Sequence, residues 1–281
     1  MALRLAEHFG GEIISVDSMQ VYRGMDIGTA KPSILERRGI PHHLVDVAEP
    51  DDEFSVARFR RLGRQALAET EAPVMIISGG SGLHFRALVD PMSFAPTDSG
   101  LRTELEAREA ATLIEDLLAV DATAMSHVDL ANPRRVVRAI EIFELTGETP
   151  SMRAGTALAE DVRRYVPEID FEAVGVDPGG TLEGRIEERL NQMRTGGLID
   201  EVRSLAPRLG RSARNAVGYR EMLGALAGDT SFDDAFERAA SSTKKLARKQ
   251  RTWFQRDPRI RWIPWIEDVE QRTRRIVETF E

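Results

Sequence analysis

Short apolar runs with the length of buried strands alternate along the chain with segments of helical periodicity. Four runs have the strand pattern, and they cover residues 12–16, 43–47, 74–78 and 173–176. Amphipathic patterns around them predict helices over residues 2–9, 56–69, 83–89, 182–205 and 232–255, the fourth of which is interrupted at Gly196 and Gly197. Strands that alternate with helices indicate a parallel, doubly wound sheet flanked by helices, so the fold class is α/β.

The strand pattern disappears between Pro96 and about residue 159. The residues in this stretch are helix formers, and Asn132 followed by Pro133 starts a well-patterned helix. We therefore expect a core α/β domain formed by residues 1–96 and 159–281, with a helical insertion domain over residues 97–158.

Composition narrows the class of protein. With 42% hydrophobic and 30% charged residues the chain is typical of a globular protein, and its apolar runs are far shorter than the ~20 residues that cross a bilayer. The sequence contains no cysteine, which excludes a disulfide framework, a thiolate metal site and a cysteine nucleophile. The N-terminus lacks the apolar core of a secretory signal, so we expect a cytoplasmic protein without a membrane partner.

The distribution of charge singles out one segment. The net charge of −8 opposes nucleic-acid binding overall, yet residues 244–261 carry eight cations and a single acid, Asp257. Within this segment Lys244, Arg248 and Arg251 recur at helical spacing, with Trp253 beside them. Such a stripe suits phosphate contacts and base stacking, although a solvated helix face has the same pattern. Its contrast with the overall charge favours binding.

Two loops should meet at the carboxyl edge of the sheet, where ligands bind in parallel α/β folds. Asp17 follows the first strand and is either a general base or a turn former. Gly79, Gly80, Ser81 and Gly82 follow the third strand and form either an anion-binding turn that opens a helix or an ordinary tight turn.

Arginines on the helix after Pro133 form a second basic group. Arg134, Arg135 and Arg138 share one face, while apolar residues recur on another. The arginines either contact a ligand or pair with acids of their own helix.

Another pair of arginines, Arg185 and Arg189, lies one turn apart beside the buried face of the predicted helix 182–205. They can clamp a phosphate, or they can pair with the acidic neighbours on the same helix. The spacing of His42, His43 and His84 does not favour a metal site, and we interpret all three as structural.

Taken together, these segments resemble one family, the bacterial tRNA dimethylallyltransferases. The sequence EIISVDSMQVYRGMDIGTAKP over residues 12–32 is similar, nearly residue for residue, to the signature of that family. Five further motifs follow in the family's order: PHHLVD at residues 41–46, GGSGL at 79–83, RRVVRAIE at 134–141 with Thr146 and Gly147, VGYRE at 217–221, and RKQRTW at 248–253. The resemblance covers essentially the whole chain.

The resemblance implies an enzyme with a parallel sheet of the P-loop NTPase type and a helical insertion domain. Its reaction would transfer a dimethylallyl group from dimethylallyl diphosphate to N6 of adenine 37, next to the tRNA anticodon, with Mg²⁺ as cofactor. The family suggests a cytoplasmic monomer whose partners are the anticodon stem-loop and the prenyl donor.

The resemblance also implies roles for individual residues. Asp17 matches the family's general base and Arg189 its diphosphate-binding arginine, and neither is a metal ligand. Gly79, Gly80 and Ser81 are the further diphosphate-binding candidates. The residues that match tRNA-contacting segments are Asp17, Ser18, Met19, Gln20, Arg134, Arg135, Val136, Val137, Arg138, Asn215, Gly218, Tyr219, Arg220, Arg248, Lys249, Gln250, Arg251, Thr252 and Trp253.

The sequence departs from the family pattern in two respects. Ser81 and His84 stand where the family usually has Thr and Tyr. In addition, the sequence contains no phosphate-binding loop of the type Gly-x-Thr-x-x-Gly-Lys-[Ser/Thr], and residues 1–7 align with the helix that follows that loop.

Three hypotheses follow. The first is an enzyme whose recorded start is internal, so that the reading frame continues upstream through the phosphate-binding loop and the chain from Met1 transfers no detectable group. The second is a tRNA-binding protein that has lost the loop and only grips the anticodon arm. The third, a small-molecule kinase of related architecture, leaves the two basic helices unexplained.

Overall fold

A computed structural model describes residues 1–280 of the chain. It divides into two compact units, one formed by Met1–Leu88 and Phe171–Glu281 and the other by Val89–Asp170. The second unit thus extends on both sides of the insertion expected over residues 97–158.

A three-stranded parallel sheet lies in the first unit. Its strands are β1 (Glu12–Val16), β2 (His42–His43) and β3 (Met75–Gly79), in the order β2-β1-β3. Ile14 pairs with His43 on one side and with Ile77 on the other. Apart from the exposed Val74, the apolar runs that predict β1 and β3 are buried or half-buried, as expected for a sheet covered on both faces.

The second strand is shorter than the sequence predicts. Residues 43–47 were expected to form it, but Leu44 and Asp46 adopt left-handed backbone conformations with φ of 61° and 58°, which an extended ladder does not tolerate. Asp46 instead accepts a hydrogen bond of 2.6 Å from the buried ammonium group of Lys31, which also bonds Asp26 at 2.7 Å. This ion-pair network holds the chain in a turn.

A second parallel sheet consists of β4 (Ala173–Asp177) and β5 (Ile260–Pro264), with Val176 opposite Ile263. The sequence analysis predicts β4 but not β5. Within residues 1–280, β3 and β4 each have a ladder partner on one side only. Both sheets nevertheless pack on one apolar cluster, to which Leu5, Ile263 and Ile276 belong. Ile76 of β3 and Val174 of β4 both contact this cluster.

Helices make up most of the remaining structure. Glycine ends several of them as sequence analysis predicts; Gly10 caps the first with φ of 63°, and Gly197, with φ of 96°, separates two helices of the 182–205 segment. The helices are α1 (Ala2–Phe9), α2 (Val56–Glu69), α3 (Gly82–Val89), α4 (Ser99–Ala107), α5 (Ala110–Val120), α6 (Pro133–Thr146), α7 (Pro150–Ala154), α8 (Ala157–Arg163), α9 (Leu182–Thr195), α10 (Leu198–Leu205), α11 (Arg211–Arg214), α12 (Tyr219–Leu226), α13 (Phe232–Gln255) and α14 (Val269–Phe280).

The second unit is helical throughout. Its core is formed by α4, α5 and α6, which contribute Leu105, Leu117 and Ile140 among others. Residues 89–170 contain no strand. Across residues 1–280, no helix combines the length and the apolar character needed to span a bilayer. The α/β fold class predicted from the sequence is confirmed, with parallel strands and flanking helices in the first unit.

Candidate active site

The loops after β1 and β3 lie side by side at the carboxyl edge of the three-stranded sheet. Val16 pairs with Gly79 in the ladder, and the backbone N–H of Ser81 donates to the carbonyl of Val16 over 3.1 Å. A Cβ atom at Gly79 would lie 2.3 Å from the Val16 carbonyl oxygen, so the close approach of the two loops requires glycine. The expected juxtaposition of Asp17 and the glycine loop follows directly from this register.

Asp17 is half-buried and uses one carboxylate oxygen for the turn. Its Oδ1 accepts hydrogen bonds from the backbone N–H groups of Met19 at 2.8 Å and Gln20 at 3.3 Å. Its Oδ2 accepts no hydrogen bond within residues 1–280. The turn-forming interpretation is therefore correct, but it leaves one oxygen available to a substrate.

Arg189 and His84 face Asp17 from two other elements. Although part of the Arg189 surface is exposed, desolvation lowers the pKa of its guanidinium, and the charge of Asp17 acts in the opposite direction. Burial likewise lowers the pKa of His84, against the charge of Asp17. The two predicted catalytic residues, Asp17 and Arg189, are thus close enough to interact electrostatically.

His84 shapes the glycine loop. Its Nδ1 lies 2.7 Å from the hydroxyl oxygen of Ser81, and its ring packs edge-on against Phe59 at 4.7 Å between centroids. Both positions depart from the family pattern, and here they form a hydrogen-bonded pair. Our structural interpretation of His84 did not anticipate that it would orient a diphosphate-binding candidate; the spacing of Ser81 and His84 across the first turn of α3 is the signal that could have indicated it.

Helix α13 packs on the same glycine loop. A Cβ atom at Gly80 would lie 2.5 Å from Nε2 of Gln250, and one at Gly82 would lie 2.0 Å from Cδ1 of Trp253. Close packing against the Trp253 ring therefore requires glycine at position 82, whereas at position 80 the end of the Gln250 side chain would have to move. Two of the predicted tRNA-binding residues, Gln250 and Trp253, consequently border the loop, and Trp253 remains 44% exposed.

The cations of α13 fall into two classes. Lys244 lies 3.5 Å from a carboxylate oxygen of Glu183, and Arg251 donates to Asp177 at the end of β4 over 2.7 Å. By contrast, Arg248 and Lys249 are exposed and have no ion pair within residues 1–280. The predicted stripe of Lys244, Arg248 and Arg251 is therefore not uniformly available to a ligand. Thr252 is exposed and its hydroxyl donates to a main-chain carbonyl of its own helix.

The segment around Gly218, residues 215–221, is stabilised by local hydrogen bonds. Gly218 has φ of 94° and its N–H donates to Glu221 over 2.8 Å, while Arg220 donates to the same carboxylate over 2.5 Å. Asn215 donates to the carbonyl of Arg211 over 2.7 Å. Within this segment Arg220 keeps an exposed surface toward solvent.

Tyr219 is fully buried, so its side chain is not accessible to RNA. Its phenol donates to Glu201, and burial together with the Glu201 charge raises its pKa. The Glu201 carboxylate also accepts from the N–H groups of Ile27 at 2.7 Å and Gly28 at 3.0 Å. Tyr219 and Glu201 thus fix the loop after Asp17 to Gln20, a role that the sequence did not reveal because the partners are far apart in the chain.

Gln20, Ser18 and Met19 complete that loop and are half-buried. The Gln20 amide accepts from the Ser15 hydroxyl at 2.9 Å and donates to the Thr29 carbonyl at 3.2 Å. Elsewhere on the sheet, His43 lies 2.7 Å from a Glu12 carboxylate oxygen, as its structural interpretation expects.

The second unit carries the remaining candidates. Arg134 and Arg135 are exposed, whereas Val136 and Val137 are buried in the helical core, so any RNA contact by this helix has to come from the arginines. Arg138 donates to Glu141 over 2.6 Å. A cleft of about 720 Å³ in this unit is lined by Ser126, His127, Val128, Asn132, Arg134, Arg135, Arg138, Ala139, Ile142, Glu148, Pro150, Arg153, Ala154 and Arg163.

No group of three or more His, Asp or Glu side chains within residues 1–280 is arranged to hold a metal ion. A Mg²⁺ ion needs few protein ligands when phosphates supply the rest of its shell. The described residues form no all-protein cage for such an ion.

The profile of the IPP transferase family matches residues 20–257. The chain is 43% identical over 273 residues to a tRNA dimethylallyltransferase of Bifidobacterium longum, covering 94% of this chain and 80% of the relative. It is 42% identical over 271 residues to a tRNA dimethylallyltransferase of Streptomyces coelicolor, covering 92% and 84%.

Solved structures of similar fold agree. The tRNA delta(2)-isopentenylpyrophosphate transferase of Staphylococcus epidermidis is 30% identical with a TM-score of 0.70, and the alignment covers 99% of this chain and 93% of that one. A eukaryotic dimethylallyltransferase acting on tRNA gives a TM-score of 0.79 over 99% of this chain and 75% of that one; at 22% identity it supports the fold alone.

Proposed function

The chain belongs to the IPP transferase family and is an enzyme that transfers a dimethylallyl group to tRNA; we propose that the donor is dimethylallyl diphosphate and the acceptor is N6 of adenine 37, beside the anticodon. The observation that carries this proposal is the available carboxylate oxygen of Asp17, next to both Arg189 and the glycine loop. The reaction needs a base and a cationic group for the leaving diphosphate, which Asp17 and Arg189 supply, and a surface for RNA, which other elements supply.

Asp17 acts as the general base in this proposal. The N6 lone pair of adenine is delocalised into the ring, so the nitrogen attacks an allylic carbon effectively only as its proton leaves. Oδ2 takes that proton while the N–C bond forms and the C–O bond to diphosphate breaks. The bonds to Oδ1 from the Met19 and Gln20 backbone keep the carboxylate in place during this step.

Arg189 stabilises the leaving group. The C–O bond electrons depart with the diphosphate, whose charge increases as the bond breaks, and a partly desolvated guanidinium interacts strongly with such a charge. Gly79, Gly80 and Ser81 precede the N-terminus of α3, which favours anions. We propose that these three residues contact the diphosphate, and that the pair formed by Ser81 and His84 sets the orientation of the Ser81 hydroxyl.

Each unit has its own proposed RNA contacts: α13 in the first unit, and the exposed arginines of α6 in the second. Arg248 and Lys249 provide charges for backbone phosphates, and the exposed face of Trp253 is suited to stack on a base. An adenine inside the stacked anticodon loop has to be extruded to reach Asp17. Because Trp253 packs on Gly82, the stacking surface borders the loop assigned to the diphosphate.

A family that uses a prenyl diphosphate generally needs a divalent metal, and we propose Mg²⁺. When bound, the ion neutralises diphosphate oxygens and so assists departure of the leaving group. We also infer that the enzyme works as a monomer and in the cytoplasm, as the sequence resemblance suggests.

The test measures the transfer activity of the Asp17→Asn variant, expressed from the full reading frame of its gene and purified. The amide keeps the turn-forming oxygen but cannot accept the N6 proton, so transfer to an anticodon stem-loop should slow by at least ~10²-fold while RNA affinity changes little. Asp200→Asn, at an exposed position of α10, is the matched control and should keep the full rate. Near-normal transfer by Asp17→Asn would restrict Asp17 to its turn. Tight RNA binding without any transfer by the unaltered protein, expressed from the full reading frame, would favour the binding-only alternative.

A further inference from the structure

A tryptophan at the carboxyl edge of the second sheet is held between two arginines. Trp265 follows β5, and its backbone N–H donates to the Asp177 carbonyl at the end of β4 over 2.9 Å. The guanidinium carbons of Arg185 and Arg272 lie 3.6 Å and 3.7 Å from the centroid of its indole ring. Two guanidinium groups this close to the ring centroid cannot both stack on one face of the indole. One guanidinium therefore lies on each face.

The cluster of Arg185, Trp265 and Arg272 contains buried N–H groups without hydrogen-bond acceptors. Arg272 is only 7% exposed, and its Nε–H has no hydrogen-bond acceptor within the described residues; the same is true of the Trp265 indole Nε1–H. One terminal nitrogen of Arg272 donates to the Ile266 carbonyl. Buried N–H groups almost always have an acceptor in native proteins, so two adjacent ones without a partner require an explanation.

Nor is the positive charge of the cluster neutralised by an ion pair. Within residues 1–280, Arg185 and Arg272 have no carboxylate within salt-bridge distance. Glu267 and Asp268 attract Arg272 only at longer range, and Asp268 is engaged in capping α14 through bonds of 2.9 Å and 2.7 Å to backbone N–H groups. On α9, Glu183 interacts with Lys244 over 3.5 Å.

The position of the cluster relates it to the site described above. Arg185 and Arg189 are separated by one turn of α9, which places their side chains on the same side of that helix. Arg189 in turn is close to Asp17. The cluster therefore lies one turn of α9 from the proposed leaving-group arginine.

We propose that Arg185, Trp265 and Arg272 form a phosphate-binding subsite, in which the planar guanidinium of Arg185 and the N–H groups of Trp265 and Arg272 donate to phosphate oxygens. A phosphate satisfies both orphaned N–H donors and neutralises the paired arginines at once. Its source is either the terminal phosphate of the prenyl diphosphate or a backbone phosphate of the tRNA. The connection to catalysis rests on the proposed function, whereas the binding of phosphate does not.

The test measures inorganic pyrophosphate binding by calorimetry and, separately, binding of an anticodon stem-loop RNA. Arg185→Gln should weaken one of these ligands by about tenfold or more, because charged hydrogen bonds to phosphate are lost. Arg274→Gln, at an exposed position of α14 two residues from Arg272, is the matched control and should leave both affinities unchanged. Loss for pyrophosphate alone assigns the subsite to the donor, and loss for RNA alone assigns it to the tRNA.

A second variant, Arg272→Gln, tests the other arginine of the subsite. Because this substitution removes a buried side chain, circular dichroism first checks that the variant folds. If it does not fold, Arg185→Gln alone decides the test. Trp265 fluorescence provides an independent signal, which should change on saturation with the bound ligand and be lost in Trp265→Phe. Unchanged affinity for both ligands in Arg185→Gln would overturn the proposal.

The two proposals fail separately. If pyrophosphate binding depends on Arg185 but no dimethylallyl transfer is found, the subsite stands and the proposed function does not. If transfer depends on Asp17 while Arg185→Gln binds both ligands normally and reacts at the full rate, the function stands and the subsite does not.

Discussion

Helices α6 and α13 carry similar rows of cations but use them differently. In α6, Arg138 donates to the main-chain carbonyls of Ala95 and Pro96, each over 2.8 Å, and to the fully buried Glu141. In α13, Arg248 and Lys249 point away from acids and remain exposed. Arg138 of α6 is thus part of an internal brace, whereas Arg248 and Lys249 of α13 remain on an outward-facing surface.

The difference arises from an acid on α6 itself, since Glu141 is buried and follows Arg138 by three residues on the same helix. Glu141 is also bonded to Arg102 over 2.8 Å and to the Asp98 backbone N–H over 3.0 Å, so two guanidiniums converge on one buried carboxylate. The bonds from these arginines outweigh the effect of burial and lower the pKa of Glu141. A charge row on a helix therefore indicates binding only once its partners in the folded chain are known.

The largest effect is expected from Glu141→Ala. The change leaves Arg102 and Arg138 without their common acceptor, so the free energy of unfolding should fall by about 3 kcal/mol. Urea unfolding followed by circular dichroism measures this loss, and hydrogen exchange should place it in the second unit. Glu144→Ala, on an exposed position of the same helix, should change stability by no more than about 0.5 kcal/mol. Equal effects of the two substitutions would show that the brace contributes little.

An intermediate effect is expected on RNA binding when Arg248 and Lys249 are both changed to Ala. Each cation that contacts a phosphate adds about 0.7 to 0.9 to the slope of log K against log salt, so the slope should fall by about 1.4 to 1.8. Lys244→Ala is the control, because Lys244 already interacts with Glu183 and should change the slope less. An unaltered slope in the double variant would make the exposed face of α13 a solvated surface.

The smallest effect concerns acid stability of the second unit, where polar groups also act internally. Asp121 accepts bonds from the N–H and hydroxyl of Ser151 at 2.8 Å and 2.7 Å, and these bonds outweigh burial and lower its pKa to about 2. Because the pKa is lower in the folded state, the unfolded chain takes up the proton first. The stabilisation is complete above about pH 4 and is lost as the pH falls toward 2.

Asp121→Asn should therefore flatten the decline of stability between about pH 4 and pH 2, at a cost of about 1 kcal/mol at neutral pH. Unfolding curves at a series of pH values measure both. Asp116→Asn, on the exposed surface of α5, is the comparison and should preserve the slope. A decline as steep in Asp121→Asn as in the unaltered protein would exclude Asp121 as its source.

Local patterns were sufficient for much of the fold. The strands β1, β3 and β4 and the break between α9 and α10 follow from apolar runs and from glycine. β5 was missed because its sequence contains Arg261 and ends at Pro264, so it lacks a continuous apolar run. The left-handed residues that shorten β2 depend on Lys31, which a reading of residues 43–47 alone does not include.

The parts of the site that follow directly from parallel strand pairing were predictable from the sequence. Asp17 and the glycine loop meet because parallel strands share an edge, and Asp17 and Arg189 remain the predicted catalytic pair. Contacts between distant segments were not predictable. The burial of Tyr219 against Glu201 and the stacking of Arg185 on Trp265 join residues whose relation appears only in the folded chain.

The packing of Trp253 and Gln250 on the glycine loop links two equilibria. A ligand that shifts Gly82 has to shift the Trp253 ring, since the contact between them leaves no room even for a methyl group. If the loop binds the diphosphate and α13 binds RNA, as proposed above, the two binding events are therefore thermodynamically coupled. Linkage makes that coupling reciprocal: the factor by which a diphosphate changes RNA affinity is the factor by which RNA changes diphosphate affinity.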